Sequence, residues 1–168
     1  MQMGLFSETT PDHPKISDDS VPYRIPVYRI ELVRDGNAGQ MAGPFSRSSE
    51  IYEMASERLS KVDREHFEVI LLDARHKIIG INTVSIGSLT AAIVHPREVF
   101  KAAIAASASC VLCVHNHPSG DPKPSKEDID LTKRLQAGGK ILGIPVLDHV
   151  IIGEDRYFSF ADEGLLKK

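Results

Sequence analysis

Strands and helices alternate along this chain, which predicts an α/β (α+β) domain built on a mixed β-sheet flanked by helices. Residues 67–72 and 110–114 are almost entirely apolar, as strands buried on both faces are. Two other stretches, beginning near Ser49 and after Pro96, repeat apolar side chains at helical spacing. With 168 residues, the chain has room for one ordinary domain and a short appendage.

The N-terminal part is predicted to be a tail followed by a strand and a helix. Residues 1–26 place four prolines among Ser, Thr and Asp with little to bury, so we expect a flexible tail. Tyr28, Ile30 and Leu32 alternate with the residues between them and with Val33, which predicts a half-buried strand over 28–33 that ends at Asp35-Gly36. A helix is predicted over 49–62. Residues 27–168 are expected to form a single domain.

The rest of the chain is predicted to complete the sheet. Strands are expected over 67–72, 78–85, 89–94 and 110–114, and two or three short ones within 144–159. Pro96 suits the first position of a helix, because proline has no amide hydrogen to leave unpaired there. Ser125 is expected to begin another helix, which ends near Gly138.

The charge and composition exclude several classes of protein. The chain has 20 basic and 23 acidic residues, so its net charge of −3 does not support a broad electrostatic hold on nucleic acid. No apolar run approaches the roughly 20 residues of a membrane span, and the start lacks the layout of a signal peptide. Two cysteines are too few for a disulfide scaffold. We therefore expect a cytoplasmic protein with no membrane partner.

The chemistry is concentrated in the segment H-N-H-P-S-G-D-P-K-P-S-K-E-D, residues 115–128. Two histidines two residues apart on an extended chain point to the same side, so both can reach one metal ion. Asp128 adds a carboxylate, and two nitrogens with one oxygen leave a fourth position for water, as in catalytic zinc sites. Ser125 and Asp128 also form a capping box, which by itself explains Asp128. The joint spacing of all four residues is what favours a metal site.

This segment resembles the signature of a known family of metalloproteases. His-x-His, seven residues, Ser, two residues and Asp is similar to the metal-binding motif of the JAMM (MPN-plus) proteins. HNHPSGDPKPS, with the flanking pieces REHFEVILLD, HPREVFKAA and LDHVIIG, resembles the bacterial RadC-like branch over residues 46–166. The resemblance implies a JAMM/MPN-type (cytidine-deaminase-like) architecture and a short form with the metalloprotease-like domain alone.

The resemblance also implies a role for each site residue. His115, His117 and Asp128 would bind zinc (Zn2+), and Ser125 would donate a hydrogen bond to the oxyanion of the reacting carbonyl. An upstream glutamate would act as general base and then as general acid. Glu65 matches the family's position, and two alternatives remain open. Glu68 would face the other side of the strand, and Glu98 fits the first turn of a helix.

The function implied is zinc-dependent hydrolysis of peptide or isopeptide bonds, in a protein or peptide substrate that the sequence does not identify. The alternative hypothesis is a non-catalytic binding module associated with DNA repair that keeps the JAMM fold. Nucleic acid is its expected partner, although the net charge does not support one.

Several other motifs are interpreted as structural. Residues 66–68 (H-x-E) and 110–113 (C-x-x-C) resemble a zinc deaminase signature, but cysteines three apart on a strand face opposite sides. HNH nucleases spread their three residues over a longer unit than the consecutive residues found here. His149 is interpreted as a core histidine, with support of the metal site as the alternative. His95, before Pro96, is interpreted as structural.

Overall fold

A computed structural model describes residues 25–29, 31–36, 44–87 and 94–166. In chain order its elements are α1 (Ser48–Leu59), β1 (His66–Leu72), β2 (Ile78–Ile86), α2 (Pro96–Ala105), β3 (Cys110–Asn116), α3 (Lys126–Leu142), β4 (Val146–Ile152) and β5 (Tyr157–Ser159). The described strands form one sheet in the order β2-β1-β3-β4-β5. The β3–β4 pair is parallel and the other pairs are antiparallel, so the predicted mixed sheet is confirmed.

Helices cover both faces of the sheet. Ile51, Ala55 and Leu59 of α1 pack on one face, and the apolar side chains of α2 and α3 pack on the other. The central strands β1 and β3 are therefore buried along almost their whole length. Burial on both faces explains why these two strands are continuous apolar runs rather than alternating ones.

Both helices on the second face begin with a side-chain cap. The ring of His95 accepts a hydrogen bond from the Arg97 amide, and Pro96 follows as the first helical residue. This placement confirms the structural interpretation of His95. Ser125 caps α3, as its place in the sequence predicts.

The third helix ends four residues later than predicted. It continues past Gly138 and Gly139 to Leu142, and then Gly143 adopts φ 70°, the left-handed geometry that favours glycine at a helix end. Gly139 has another role, because a Cβ added there would lie 2.5 Å from the carbonyl oxygen of Ile144. Glycine inside this helix thus permits close packing and does not mark the end.

The strand predicted over 28–33 is not present in the described residues of that region. Residues 25–29 and 31–36 have no regular secondary structure, and Tyr28, Leu32 and Val33 are exposed. An alternating pattern forms a strand only where a hydrogen-bonded neighbour and a buried face stabilise it. Residues 1–24 of the predicted tail lie outside the described residues. So does the strand predicted over 89–94, apart from Val94, which is not in a strand. No helix in the described ranges is long and apolar enough to span a bilayer.

Candidate metal centre

Four side chains that can bind a metal converge at one end of the sheet. Their ligand atoms all lie within 4.8 Å of one another. The four residues, called the metal group below, are Glu65, His115, His117 and Asp128. The antiparallel pairing of Phe67 with His115 brings the start of β1 beside the end of β3. Asp128 reaches the same place from the first turn of α3. The structure thus brings together the residues on which the predicted site depends.

The distances within the group fit those between ligand atoms around one shared ion. The two histidine Nε2 atoms are 3.1 Å apart. Asp128 oxygens lie 3.2 Å from Nε2 of His115 and 3.5 Å from Nε2 of His117. Ligands at zinc distances around a tetrahedral ion are about 3.3 Å apart. The group therefore has the size of a small tetrahedral metal site.

His117 is oriented by the loop that follows it. Its Nδ1 lies 2.8 Å from the carbonyl oxygen of Asp121, so this nitrogen donates and Nε2 faces the site. Burial alone would lower the pKa of His117, but hydrogen bonds to Asp128 and to the Asp121 carbonyl, with the charge of Glu65, outweigh it and raise the pKa.

The loop itself is held against the β4–β5 turn. The Glu154 amide donates to the Gly120 carbonyl at 3.0 Å, and Asp121 forms an ion pair with Arg156 at 3.4 Å. A Cβ on Gly153 would lie 2.4 Å from the Gly120 carbonyl oxygen, so glycine is required where the two segments meet. This contact sets the position of the Asp121 carbonyl and so of the His117 ring.

Asp128 is both the capping acid and a member of the metal group. Its Oδ2 accepts hydrogen bonds from the Ser125 amide (2.7 Å) and the Ser125 hydroxyl (2.6 Å), while Oδ1 faces His115. Burial favours the neutral acid, but hydrogen bonds from His115, His117 and Ser125 lower the pKa of Asp128 far below its usual value. The two interpretations of Asp128 are therefore compatible: Oδ2 accepts the capping hydrogen bonds, and Oδ1 takes no part in them and faces His115.

Ser125 lies beside the group, and its hydroxyl takes part in the capping box. It donates to Asp128 Oδ2 and accepts from the Asp128 amide at 3.1 Å. An oxyanion would have to compete with this carboxylate for the hydroxyl hydrogen. The oxyanion role of Ser125 thus remains a prediction.

The geometry separates the three candidate glutamates. Glu65 Oε1 lies 3.8 and 3.9 Å from the Nε2 atoms of His115 and His117. Glu68 is on the α1 side of the sheet, where it pairs with Arg58 at 2.6 Å. Glu98 is partly exposed in the first turn of α2 and accepts hydrogen bonds from Lys101 and Arg97. Of the three, the structure places Glu65 at the metal group.

Asn116 is a residue that the sequence analysis did not single out. It lies between the two histidines, and its side chain points away from theirs. Its Oδ1 accepts from the His66 amide (2.8 Å), and its Nδ2 donates to the Arg64 carbonyl (3.0 Å). The two backbone groups flank Glu65, so Asn116 fixes the backbone that carries the acid. Little in the sequence pointed to Asn116, because the strand was predicted to end at residue 114, whereas β3 continues to Asn116.

His149 also contacts the group. It is fully buried on β4, and its Nε2 lies 2.8 Å from Nδ1 of His115. Burial, assisted by the charge of His115, lowers the pKa of His149 well below its usual value. His149 is thus a core histidine and a contact of the metal group at once.

The two cysteines do not form a second metal site. Cys110 packs among residues of the α1 side and Cys113 among those of the α2/α3 side, so they cannot share one ion. Both thiols are free and buried, and burial raises the pKa of each. This arrangement removes the basis of the deaminase interpretation.

A mixed sheet between α1 and the α2/α3 pair, with these four side chains grouped at one end, is consistent with the JAB (JAMM/MPN) type of fold. Residues 45–165 match the family model of the RadC-like JAB domain. The chain therefore belongs to the RadC-like family.

Curated relatives bear the name UPF0758 protein. One from Caldanaerobacter subterraneus subsp. tengcongensis is 56% identical over 136 residues, which cover 81% of this chain and 57% of that protein. One from Desulfitobacterium hafniense is 51% identical over 117 residues, 70% of this chain and 52% of that protein. One from Methanosarcina mazei is 50% identical over 122 residues, 73% of this chain and 53% of that protein. The chain thus spans about half the length of these relatives.

Proposed function

We propose that this chain is a zinc-dependent hydrolase of the JAMM type that cleaves peptide or isopeptide bonds in a protein or peptide substrate. The observation that carries the proposal is the convergence of four side chains that can bind a metal. The Asp121 carbonyl can only accept, so Nδ1 of His117 carries a hydrogen, and in the neutral ring the lone pair of Nε2 is directed at the site. A divalent cation can be bound by the two Nε2 atoms and the Asp128 carboxylate together.

Zinc fits the donor set. Two imidazole nitrogens and one carboxylate are a ligand set that catalytic zinc sites use, with a fourth position left for water. The side chains that would hold the ion are His115, His117 and Asp128. When bound, zinc supplies Lewis acidity, which makes water a stronger acid and polarises a substrate carbonyl.

Glu65 would move the proton. Its Oε1 is farther from the histidine nitrogens than the Asp128 oxygens are, which suits an acid that contacts the attacking water and not the ion. The carboxylate would take a proton from water and then give it to the leaving amine. Its side chain is only 16% exposed, so bulk water has limited access to the proton.

Ser125 would stabilise the oxyanion. It lies at the start of α3, where backbone amides and the helix dipole also favour negative charge. Its hydroxyl would rotate from the Asp128 carboxylate to the substrate oxygen. A cytoplasmic location forms part of the proposal, since both cysteines are free thiols.

The first test is the metal content of the purified chain and of His117→Ala, measured by mass spectrometry. About one zinc per chain is expected in the wild type and none in the variant. A wild-type chain that holds no zinc and takes none up would contradict the proposed metal site.

The second test compares Glu65→Gln with Glu98→Gln against a library of linear and isopeptide-linked peptides. Glu65→Gln is expected to keep zinc and lose turnover, whereas Glu98→Gln, a partly exposed acid of α2, keeps both. Full turnover in Glu65→Gln would show that another group acts as the base. If a zinc-loaded chain cleaves nothing and binds branched or single-stranded DNA in a salt-dependent way, the binding-module hypothesis is correct instead.

A further inference from the structure

A buried chain of hydrogen bonds leads away from the metal group through two side chains. Nδ1 of His115 lies 2.8 Å from Nε2 of His149, and Nδ1 of His149 lies 2.7 Å from the Thr132 hydroxyl. That hydroxyl is 2.6 Å from the backbone carbonyl oxygen of Asp128. The series of hydrogen bonds therefore begins at the ring of His115 and ends at the backbone of Asp128, both members of the metal group.

The contact between Thr132 and the Asp128 carbonyl determines which atom donates in each of these hydrogen bonds. A carbonyl oxygen only accepts, so the single hydrogen of the Thr132 hydroxyl points to Asp128. The hydroxyl oxygen must then accept from His149, whose Nδ1 carries the hydrogen. In a neutral His149 ring, Nε2 is left as an acceptor, and Nδ1 of His115 donates to it.

The surroundings of His149 favour the neutral ring. The side chain is fully buried, stacks on Phe160 at 5.0 Å and meets the edge of Phe67 at 5.4 Å. Its two nitrogens face a hydroxyl and another imidazole, and neither faces a carboxylate at hydrogen-bond distance. A positive charge without a partner in this apolar site would be costly.

We propose that His149 and Thr132 are positioning residues that hold His115 as its Nδ1-protonated tautomer, with the Nε2 lone pair directed at the ion. His117 obtains the same tautomer from the Asp121 carbonyl, so both histidines present Nε2 to the site. Thr132 lies one turn after Asp128 on α3, so these hydrogen bonds also link α3, through His149, to His115 on β3. This inference rests on the proposed zinc site for its effect on metal binding.

The hydroxyl of Thr132 can be tested with a matched pair of variants. Thr132→Val keeps the shape and removes the hydroxyl, whereas Thr132→Ser keeps the hydroxyl. We expect zinc affinity, measured by competition with a chromophoric chelator, to fall about 10-fold to 100-fold in Thr132→Val and His149→Phe. Thr132→Ser is expected to stay within about threefold of wild type, because its hydrogen bonds remain.

The tautomer itself is measured without metal at alkaline pH, where a neutral ring carries a single hydrogen, from imidazole nitrogen shifts of the labelled chain. His115 is expected to carry its hydrogen on Nδ1 in the wild type and in Thr132→Ser, and to become a mixture of tautomers in Thr132→Val. This spectrum would not change if the two side chains only filled space. Because the wild-type spectrum needs no variant, the proposal stays testable if Thr132→Val does not fold.

Three results would overturn the inference. They are an unprotonated His115 Nδ1 in the wild type, equal zinc affinity in Thr132→Val and wild type, and equal losses in Thr132→Ser and Thr132→Val. Failure of the wild type to bind zinc would contradict the proposed function, and the nitrogen shifts would still decide which tautomer His115 adopts.

Discussion

Asn116 holds the backbone on both sides of Glu65. Its amide accepts from the His66 N–H and donates to the Arg64 carbonyl, so one buried side chain fixes the two peptide groups next to the acid. The histidines on either side of Asn116 belong to the metal group. Strand β3 thus presents the two histidines on one face. On the other face it presents Asn116, which holds the backbone of the proposed general base.

Replacing Asn116 is expected to affect turnover more than metal binding. In Asn116→Leu the carboxylate of Glu65 loses its fixed position, and a displacement of about 1 Å can cost about 100-fold in rate. The free energy of unfolding should fall by about 1–3 kcal/mol, since buried groups lose a partner. Zinc affinity should stay within about threefold, because the ligands themselves are kept. Turnover equal to that of the wild type would show that other contacts suffice to hold Glu65.

Zinc binding should depend on pH through His117. Its pKa is raised by Asp128, Asp121 and Glu65, and a proton on Nε2 competes with the metal. Zinc affinity is therefore expected to be greatest above the raised pKa and to fall as the pH decreases through it. The fall should begin above pH 6.5, the usual pKa of histidine. Chelator competition across this range measures the midpoint. Glu65→Gln removes one of the charges that raise the pKa, so its midpoint should move to lower pH. An unchanged midpoint would contradict this assignment.

The two cysteines should be inert in the folded chain. Both are buried, and burial raises the pKa of each thiol, so little thiolate forms at mildly alkaline pH. We expect no labelling by a thiol reagent in the native state and labelling of both on denaturation, as counted by mass spectrometry. Cys110→Ala and Cys113→Ala should each keep the full zinc content. Loss of zinc in either variant would support a cysteine as a zinc ligand, as in the deaminase interpretation.

Gly153 should be intolerant of any side chain. A Cβ there would lie 2.4 Å from the Gly120 carbonyl oxygen and 2.7 Å from Cδ of Pro122, so the loop that carries Asp121 would have to move. Gly153→Ala is expected to lower the free energy of unfolding by about 1–3 kcal/mol and to weaken zinc binding. Gly80→Ala is the matched control, because its Cβ would meet Leu71 at an ordinary 3.7 Å. Denaturant unfolding and zinc titration compare the two; equal results would mean that the loop adapts at no cost.

Local patterns predicted most of the elements. The apolar runs of β1 and β3, the proline at the start of α2 and the capping serine of α3 all report conditions within a few residues. The strand predicted over 28–33 was wrong because an alternating pattern does not reveal whether a neighbouring strand exists. The end of α3 was misplaced because glycine is also used where two segments touch.

The sequence by itself determined which residues could bind a metal: the spacing of His115, His117 and Asp128 is local to one strand, one loop and one helix start. Only the tertiary structure shows that Glu65, and not Glu68 or Glu98, lies beside the two histidines, since this proximity depends on how β1 pairs with β3. The same holds for the contact of His149 with His115, 34 residues away, and for the partners of Asn116, which are 50 or more residues away. Contacts of this kind follow from sheet register and helix packing, which no short pattern encodes.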